Sequence, residues 1–216
     1  MQKATLFLLR TYNDIDHITP VIWKAVGSGR HIYFMFVGLS YLDDYRIRFL
    51  IDTGARHLSC PPLTWYHHRI RKWLVPYFCR RIADRLISYT IGTFLLKRNS
   101  IRVVASEWSG AFGREMAEYI LRPANRMRMP CVSLPHGYII WKNNEINELE
   151  VNLWKTKRKR PDFSERNIFS AYVVQNDEAR RYYLERGISR EKIRILGSTR
   201  FCREWFLINN KLLKTN

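Results

Sequence analysis

Short apolar runs without charged residues recur along the chain, separated by polar or amphipathic segments. Residues 5–9 and 31–37 are the first two, and continuous apolar stretches of this length are typical of buried parallel strands. Between them lies a polar stretch, residues 11–17. It is followed by Thr19 and Pro20, a hydroxyl cap and a proline that suits the first turn of a helix. The pattern predicts a strand, a loop, a helix and a second strand.

The same alternation continues in the second half of the chain. One helix is predicted to begin near Ser109 and another after Asn176. Strands are predicted at residues 101–106, 130–134, 171–174 and 193–196, the first and last of which contain one arginine each. Residues 41–51 fit a helix or part of a strand, and residues 64–97 predict a long amphipathic helical region kinked at Pro76. About six strands alternating with helices indicate an α/β fold, an open, mostly parallel, Rossmann-like sheet with helices on both faces.

The chain is strongly basic, because 37 lysines and arginines stand against 19 aspartates and glutamates, for a net charge of +18. Such a surface attracts nucleic acid, anionic lipid or phosphorylated substrates, and charge alone does not choose among them. No signal peptide or membrane-spanning stretch is expected from the sequence. The cysteines show no metal-ligand spacing and indicate free thiols in a reducing cytoplasm: Cys60, Cys79, Cys131 and Cys202.

Polar side chains follow four of the predicted strands, at the edge where open parallel sheets bind ligands. We expect the substrate-binding residues to be Asn13, Asp14, Asp16, His17, Gly137, Ser198 and Arg200, and the catalytic residues to be His136 and Glu107. A histidine or a carboxylate can take the proton of an attacking sugar hydroxyl. A phosphate leaving group needs positive charge or a helix N-terminus to receive it.

The sequence leaves a structural alternative open for six of these residues. The alternatives are a turn at His136, ion pairs at Glu107 and Arg200, and helix capping or a solvated loop at Asp14, Asp16 and His17. The basic run at residues 155–160 fits a solvated loop or a recognition element. The aromatic and arginine-rich residues 64–97 fit a core or an interfacial lipid contact. The chain contains no G-x-G-x-x-G motif, which argues against a nicotinamide-binding Rossmann enzyme.

Three short segments resemble bacterial surface-polymer transferases of the GT-B type, which include CDP-glycerol glycerophosphotransferase-like enzymes and capsular polysaccharide glycosyltransferases. They are residues 132–137 (VSLPHG), residues 171–176 (AYVVQN) and residues 187–200, which end in Gly-Ser-Thr-Arg. Thr199 stands where these enzymes usually have proline. UDP-N-acetylglucosamine 2-epimerases are similar in architecture.

The resemblance implies that residues 1–200 form a Rossmann-like, acceptor-side N-terminal domain. Residues 201–216 would be a tail or the start of an inter-domain linker. GT-B enzymes have a second Rossmann-like domain that holds most of the donor, and about 150 further residues are expected for it. The chain is therefore expected to be a truncated gene product, a split protein or one subunit of a pair, with little activity alone.

The resemblance also implies a function. The expected reaction is glycosyl or glycerophosphate transfer in the synthesis of a capsule, lipopolysaccharide or teichoic-type polymer, inverting or retaining, with His136 as the acceptor-side base or a phosphate contact. The donor would be a nucleotide-activated sugar or CDP-glycerol, used as a substrate, and no cofactor or metal is expected. Expected partners are a lipid-linked or glycan acceptor, an anionic membrane surface and a separate donor-binding subunit. The expected location is the cytoplasm, peripheral on the inner face of the plasma membrane.

Two other functions remain open. The charge suits a nucleic-acid-binding protein, although no helix-turn-helix, RRM or zinc motif is present to support that function. A UDP-N-acetylglucosamine 2-epimerase-like fragment would share the fold and would also need a second domain.

Overall fold

A single open sheet forms the centre of the protein. The computed structural model describes residues 3–74, 77–107, 116–135, 156–158 and 162–215. Within these ranges seven strands pair in parallel in the order β3-β2-β1-β4-β5-β6-β7. They are β1 (Ala4–Leu9), β2 (His31–Phe36), β3 (Arg56–His57), β4 (Ile101–Glu107), β5 (Cys131–Leu134), β6 (Ala171–Val174) and β7 (Ile193–Ile195).

Helices cover both faces of this sheet, which confirms the predicted α/β, Rossmann-like architecture. In the described ranges they are α1 (Tyr12–Gly27), α2 (Tyr45–Asp52), α3 (Pro61–Trp65), α4 (Tyr77–Ile87), α5 (Thr93–Arg98), α6 (Glu118–Arg126), α7 (Asp177–Leu184) and α8 (Arg203–Thr215). Within the same ranges, no helix combines the length and the apolar character needed to cross a membrane.

The central strand β1 separates two apolar clusters. Alternate residues of a strand point to opposite faces of its sheet. Leu6 and Leu8 belong to the cluster that α3, α5, α6 and α7 cover, whereas Phe7 and Leu9 belong to the cluster that α1 and α2 cover. A strand buried on both faces needs an uninterrupted apolar run, which is why the sequence pattern located β1 correctly.

The first helix starts about two turns earlier than the sequence predicts. Asp14 is fully buried, and its carboxylate accepts the backbone N–H groups of Arg10 (2.7 Å) and Thr11 (3.0 Å). These bonds satisfy donors that a helix start otherwise leaves without partners. The expectation of a polar loop at residues 11–17 was wrong, and Pro20 lies inside α1.

Residues 41–51, which fitted a helix or a strand, include most of α2. The helix begins at Tyr45 because the Asp44 carboxylate accepts the backbone N–H of Arg46 at 2.9 Å. The short strand β3 follows and pairs with β2 at the edge of the sheet. The sequence did not predict β3, because a two-residue pairing carries no apolar run that could reveal it.

The described parts of residues 64–97 form a broken helical layer on the side opposite α1. A π-helical turn at Ser88–Gly92 joins α4 to α5. A Cβ atom on Gly92 would come within 2.0 Å of the carbonyl oxygen of Tyr119 in α6. Only a glycine therefore lets this layer pack so closely against α6. The predicted kink at Pro76 lies outside the described residues.

The last helix, α8, packs onto the α1–α2 face of the domain. Trp205 is 1% exposed, and its ring centroid lies 6.2 Å from that of Trp23 and 6.1 Å from that of Phe49. The hydroxyl of Tyr45 donates to the side-chain oxygen of Asn209 at 2.9 Å. The predicted division between residues 1–200 and 201–216 stays a prediction.

Candidate functional site

The carboxyl ends of all the described strands meet at one edge of the sheet, because every pairing is parallel. The chain order reverses between β1 and β4, and open α/β sheets bind ligands at such a switch point. Arg10 follows β1 and Glu107 ends β4. Their side chains form an ion pair, Nη2 to Oε1 at 2.9 Å, and Glu107 is only 1% exposed. Glu107 thus lies at the switch point, and it makes the arginine pairing that the sequence left open.

The two polar residues at the start of α1 differ in what their side chains do. The Asp14 carboxylate starts the helix by accepting two backbone N–H groups, which is the capping role that the sequence left open. Asn13 is exposed to solvent. Substrate binding by either residue stays a prediction.

A small cavity opens at the carboxyl edge between α1 and the ends of β5, β6 and β7. Its volume is about 130 Å³, and its lining includes His17, Pro135 and Ser198. Nδ1 of His17 lies 3.3 Å from the Ser198 hydroxyl, and the Thr199 hydroxyl donates to the backbone carbonyl of His17 at 2.9 Å. Gly197 has a positive φ of 78°, which a glycine adopts without strain. The turn after β7 is thereby held against α1.

The side chains of Asp16 and Arg200 also form an ion pair, and Arg46 binds the same carboxylate. Nη1 of Arg200 lies 2.8 Å from one carboxylate oxygen of Asp16, and Nη1 of Arg46 lies 3.0 Å from the other. Arg46 is 2% exposed and also binds both carboxylate oxygens of Asp44, at 2.9 and 2.7 Å. The carboxylate pairing that the sequence left open for Arg200 is therefore present.

Arg46 is the residue that joins this cluster, because it binds the carboxylates of both Asp16 and Asp44. It was not among the site residues predicted from the sequence. Burial acts to raise the pKa of the Asp44 carboxyl, but the hydrogen bonds and charge of Arg46 outweigh burial and bring the pKa below its ordinary value. The Arg46 guanidinium also stacks on the Tyr12 ring, 4.5 Å from its centroid. Asp44 lies two residues before Arg46, but no signal in the sequence marks the contacts of Arg46 with Asp16 and Tyr12, which come from a separate helix.

Two of the predicted residues cannot be placed. His136 and Gly137 lie outside the described residues, as do residues 155, 159 and 160 of the basic run at 155–160. The described chain ends on this side with Pro135, a wall residue of the cavity that directly precedes His136 in the sequence.

A second polar cluster, also missed from the sequence, lies in the helix layer on the other face. One carboxylate oxygen of Asp84 accepts the hydroxyls of Tyr66 (2.9 Å) and Tyr119 (3.0 Å), and Nε of Arg71 donates to the same oxygen at 3.0 Å. Burial, followed by the charge and hydrogen bond of Asp84, raises the pKa of both tyrosines. The tyrosines therefore stay protonated and act as hydrogen-bond donors.

The carboxyl edge has the groups that phosphorylated sugars require. The guanidinium groups of Arg10 and Arg200 can hold phosphate oxygens, while the Glu107 carboxylate and the His17 imidazole can bind or deprotonate hydroxyls. Within the part of the chain that the structure describes, no group of three or more His, Cys, Asp or Glu side chains could hold a metal ion.

Solved structures show the same architecture over nearly the whole chain. UDP-GlcNAc 2-epimerase from Neisseria meningitidis, bound to UDP-GlcNAc, superimposes with a TM-score of 0.60 at 10% identity, covering 98% of this chain and 50% of that one. A glycosyltransferase from Rickettsia africae ESF-5 gives 0.51 at 12% identity, with 91% and 43% covered. Staphylococcus aureus MnaA in a co-structure with UDP gives 0.52 at 13% identity, with 92% and 44% covered. This chain has the Rossmann-like α/β fold of about one half of these GT-B-type structures.

This chain spans about half the length of each of these structures. No protein-family profile matches it, and no curated protein sequence does. Identities of 10 to 13% establish the fold alone. The narrower resemblance to CDP-glycerol glycerophosphotransferase-like enzymes stays a prediction.

Proposed function

We propose that this chain is the acceptor-binding half of a GT-B glycosyl- or glycerophosphotransferase that builds a bacterial cell-surface polysaccharide. The observation that carries the proposal is the placement of a buried carboxylate, Glu107, and its partner Arg10 at the switch point of a GT-B-type sheet. The cavity formed by His17 and Ser198 lies at the same edge. Carbohydrate hydroxyls and phosphates need this combination of acceptors and cations.

In glycosyl transfer a hydroxyl of the acceptor attacks the activated carbon of the donor sugar, whereas in glycerophosphate transfer it attacks the phosphorus of CDP-glycerol that carries the glycerol. Its proton passes to the imidazole of His136 while the new C–O or P–O bond forms. The bond from that carbon to the oxygen of the nucleoside diphosphate, or from that phosphorus to the oxygen of CMP, breaks, and the nucleotide leaves with the electron pair. Ser198 and Arg200 bind the substrate beside α1, and Glu107 positions it through hydrogen bonds to its hydroxyls.

The proposed partners follow from the same function. A separate donor-binding subunit or segment supplies the second half, and the acceptor is a lipid-linked or glycan precursor. The net charge of +18 supports attachment to the anionic inner face of the plasma membrane from the cytoplasm.

A second candidate is a sugar-nucleotide epimerase half. It is favoured by the likeness to UDP-GlcNAc 2-epimerase from N. meningitidis, which has the highest TM-score of the structures compared above. Both candidates predict a nucleotide-sugar contact at the carboxyl edge, and they differ in product. The transferase moves the sugar to an acceptor, whereas the epimerase returns a nucleotide-sugar with one inverted centre.

Chemical-shift mapping tests the proposed site directly. A soluble acceptor analogue, either sn-glycerol 3-phosphate or N-acetylglucosamine 1-phosphate, titrated into the ¹⁵N-labelled chain, should shift amide signals of residues 10–17, 107 and 196–200. Glu107→Gln and Ser198→Ala should weaken these shifts, whereas Glu165→Gln at an exposed site should leave them unchanged. Shifts confined to other residues, or none at millimolar ligand, contradict the proposal.

Product analysis then separates the two candidates. Radiolabelled donor is incubated with the chain and a bacterial membrane extract, and the lipid and nucleotide fractions are analysed. Label in the lipid fraction that depends on His136, lost in His136→Ala, supports the transferase. An epimerised nucleotide-sugar supports the second candidate. The chain alone, without a donor-binding half, should show little turnover, and robust turnover would refute the need for a second half.

A further inference from the structure

A groove opens on the helix layer that lies opposite α1, away from the carboxyl-edge cavity. Its volume is about 710 Å³, within the about 300–1,000 Å³ that small-molecule sites occupy. One wall is residues 58–62, which lead from β3 into α3. The other wall is the face of the π turn and α5 that carries Ile91, Leu95 and Arg98.

The walls of the groove are mainly aliphatic. Pro61 and Pro62 face Ile91 and Leu95 across it. Single-stranded nucleic acids bind by stacking their bases on aromatic rings, and an aliphatic slot offers no such platform. Phe94, the aromatic residue in the lining, is 60% exposed at the rim. The lining therefore favours a hydrocarbon chain over a nucleobase.

The segment of the chain that carries the groove is strongly basic, and one arginine lines the groove itself. Residues 58–99 contain eight lysines and arginines and a single acidic residue, Asp84. Asp84 is already bound by Arg71. Arg98 is exposed at the rim, with its guanidinium 5.7 Å from the centre of the Phe94 ring, and it forms no ion pair with any of the residues that the structure describes. The groove thus has an apolar interior and a cationic rim.

Exposed apolar side chains occur in the helical layer that carries the groove. Trp65 in α3, Trp73, Leu86 in α4 and Phe94 in α5 are 60, 78, 60 and 60% exposed. Basic residues interleaved with exposed tryptophan, phenylalanine and leucine are typical of helices that lie in a membrane interface. An amphiphile with one negative headgroup complements both the rim and the interior.

We propose that the groove takes one acyl chain of an anionic phospholipid of the membrane, with the lipid phosphate bound by Arg98. The acyl chain of the lipid lies between the prolines of α3 and the aliphatic face of α5. This inference deepens the proposed membrane attachment, because the protein then holds an individual lipid as well as responding to surface charge.

The groove can be tested without a membrane, with alkyl phosphates below their micelle concentration. Calorimetric titration of octyl, decyl and dodecyl phosphate into the full chain should give affinities that rise about 15-fold for each pair of methylenes, or about fourfold per methylene. Inorganic phosphate should bind far more weakly. Equal affinity for all three alkyl phosphates, or for inorganic phosphate, would overturn the proposal.

Two variants locate the site, and each has a matched control. Thr90→Trp fills the groove and should weaken dodecyl phosphate about 15-fold, the equivalent of two displaced methylenes. Thr215→Trp is its control, because both threonines are exposed and bond to the carbonyl four residues earlier. Arg98→Gln should weaken alkyl phosphate about fivefold but spare dodecyl maltoside, which has no charge. Arg190→Gln removes an exposed charge elsewhere and should change nothing.

Vesicle flotation connects the groove to the membrane. Phosphatidylglycerol vesicles should carry the protein, and Thr90→Trp should reduce that binding while Thr215→Trp does not. Alkyl phosphate binding that survives Thr90→Trp, or a single-stranded oligonucleotide whose binding needs Arg98 and displaces dodecyl phosphate, would overturn the proposal. If the groove does not bind lipid, the amide chemical-shift changes expected at residues 10–17 and 196–200 are unaffected. A failure of the lipid proposal is therefore distinguishable from a failure of the proposed transferase site.

Discussion

Arg46 should be the charged residue whose removal most destabilises the region around the candidate site. Its guanidinium is 2% exposed and makes three hydrogen bonds to carboxylates, two to Asp44 and one to Asp16. Removing one partner of a buried ion pair costs about 3–5 kcal/mol, because the other partner stays buried without compensation. Here Asp16 keeps Arg200, and both carboxylates retain some exposure. We therefore expect Arg46→Met to lower the free energy of unfolding by about 3 kcal/mol at pH 7.

The pH dependence of this loss identifies its cause. The pKa of Asp44 is lowered in the folded protein from its ordinary value of 3.8, so its contribution to stability is present above that value and fades as the pH falls through the folded pKa. The difference in the free energy of unfolding between wild type and Arg46→Met should be constant above about pH 5, and it should become smaller below pH 3.8. In Arg46→Met, Asp44 loses the side-chain hydrogen bonds and the charge of Arg46, which lowered its pKa, and keeps the bonds from the backbone N–H groups of residues 46 and 47.

Urea unfolding, followed by circular dichroism at several pH values, measures this difference. Arg48→Met removes an exposed arginine from the same helix and should cost far less. Arg46→Lys keeps the charge but loses the two-pronged contact with Asp44, so its loss should be intermediate. A loss below about 1 kcal/mol for Arg46→Met, the range of exposed pairs, would refute the reasoning. So would a difference that is the same at pH 7 and pH 3.

Two substitutions test the packing that supports the site. Gly92→Ala should cost about 1–3 kcal/mol or more, because the new methyl would meet the Tyr119 carbonyl, whereas Gly27→Ala, with open space around it, should be neutral or slightly stabilising in thermal melts. Trp205→Ala should cost about 3–5 kcal/mol and raise amide exchange throughout α8, whereas Phe206→Ala, at 60% exposure, should do neither.

The larger elements of the fold could be predicted because their signals are local. The strands β1, β2, β5 and β6 lie in short runs without acidic or basic residues other than a histidine, because a strand buried on both faces must be largely apolar. The strands β4 and β7 each contain one arginine among their apolar residues and are still recognisable. Asn176 caps α7 through a bond to the N–H of Ala179 at 2.8 Å, and Gly187, with a φ of 88°, follows the end of that helix. Both signals lie within a few residues of the feature that they mark.

Elements that depend on distant contacts could not be predicted. The strand β3 exists because two residues pair with β2. The helix α1 begins at Tyr12 because the fold buries Asp14, and a polar composition alone indicates a loop there. In each case the deciding interaction becomes available only when the sheet has formed.

The candidate site divides in the same way. The sequence placed Glu107, His17 and Ser198 at one edge, since strands in a parallel sheet end together and the strands themselves were visible in the pattern. It could not indicate that Ser198 would meet His17, 181 residues away, or that Arg46 would bind Asp16 across 30 residues.

The sequence by itself determined the layer architecture of this protein and the edge of the sheet at which its chemistry lies. Only the tertiary structure decided which charges pair, which polar residues are used in helix capping, and where an apolar groove opens beside a cationic rim. The physical reason is the separation along the sequence over which each kind of interaction acts. Burial periodicity and capping act over a few neighbours, whereas ion pairs and cavities depend on side chains that folding brings together from separate elements.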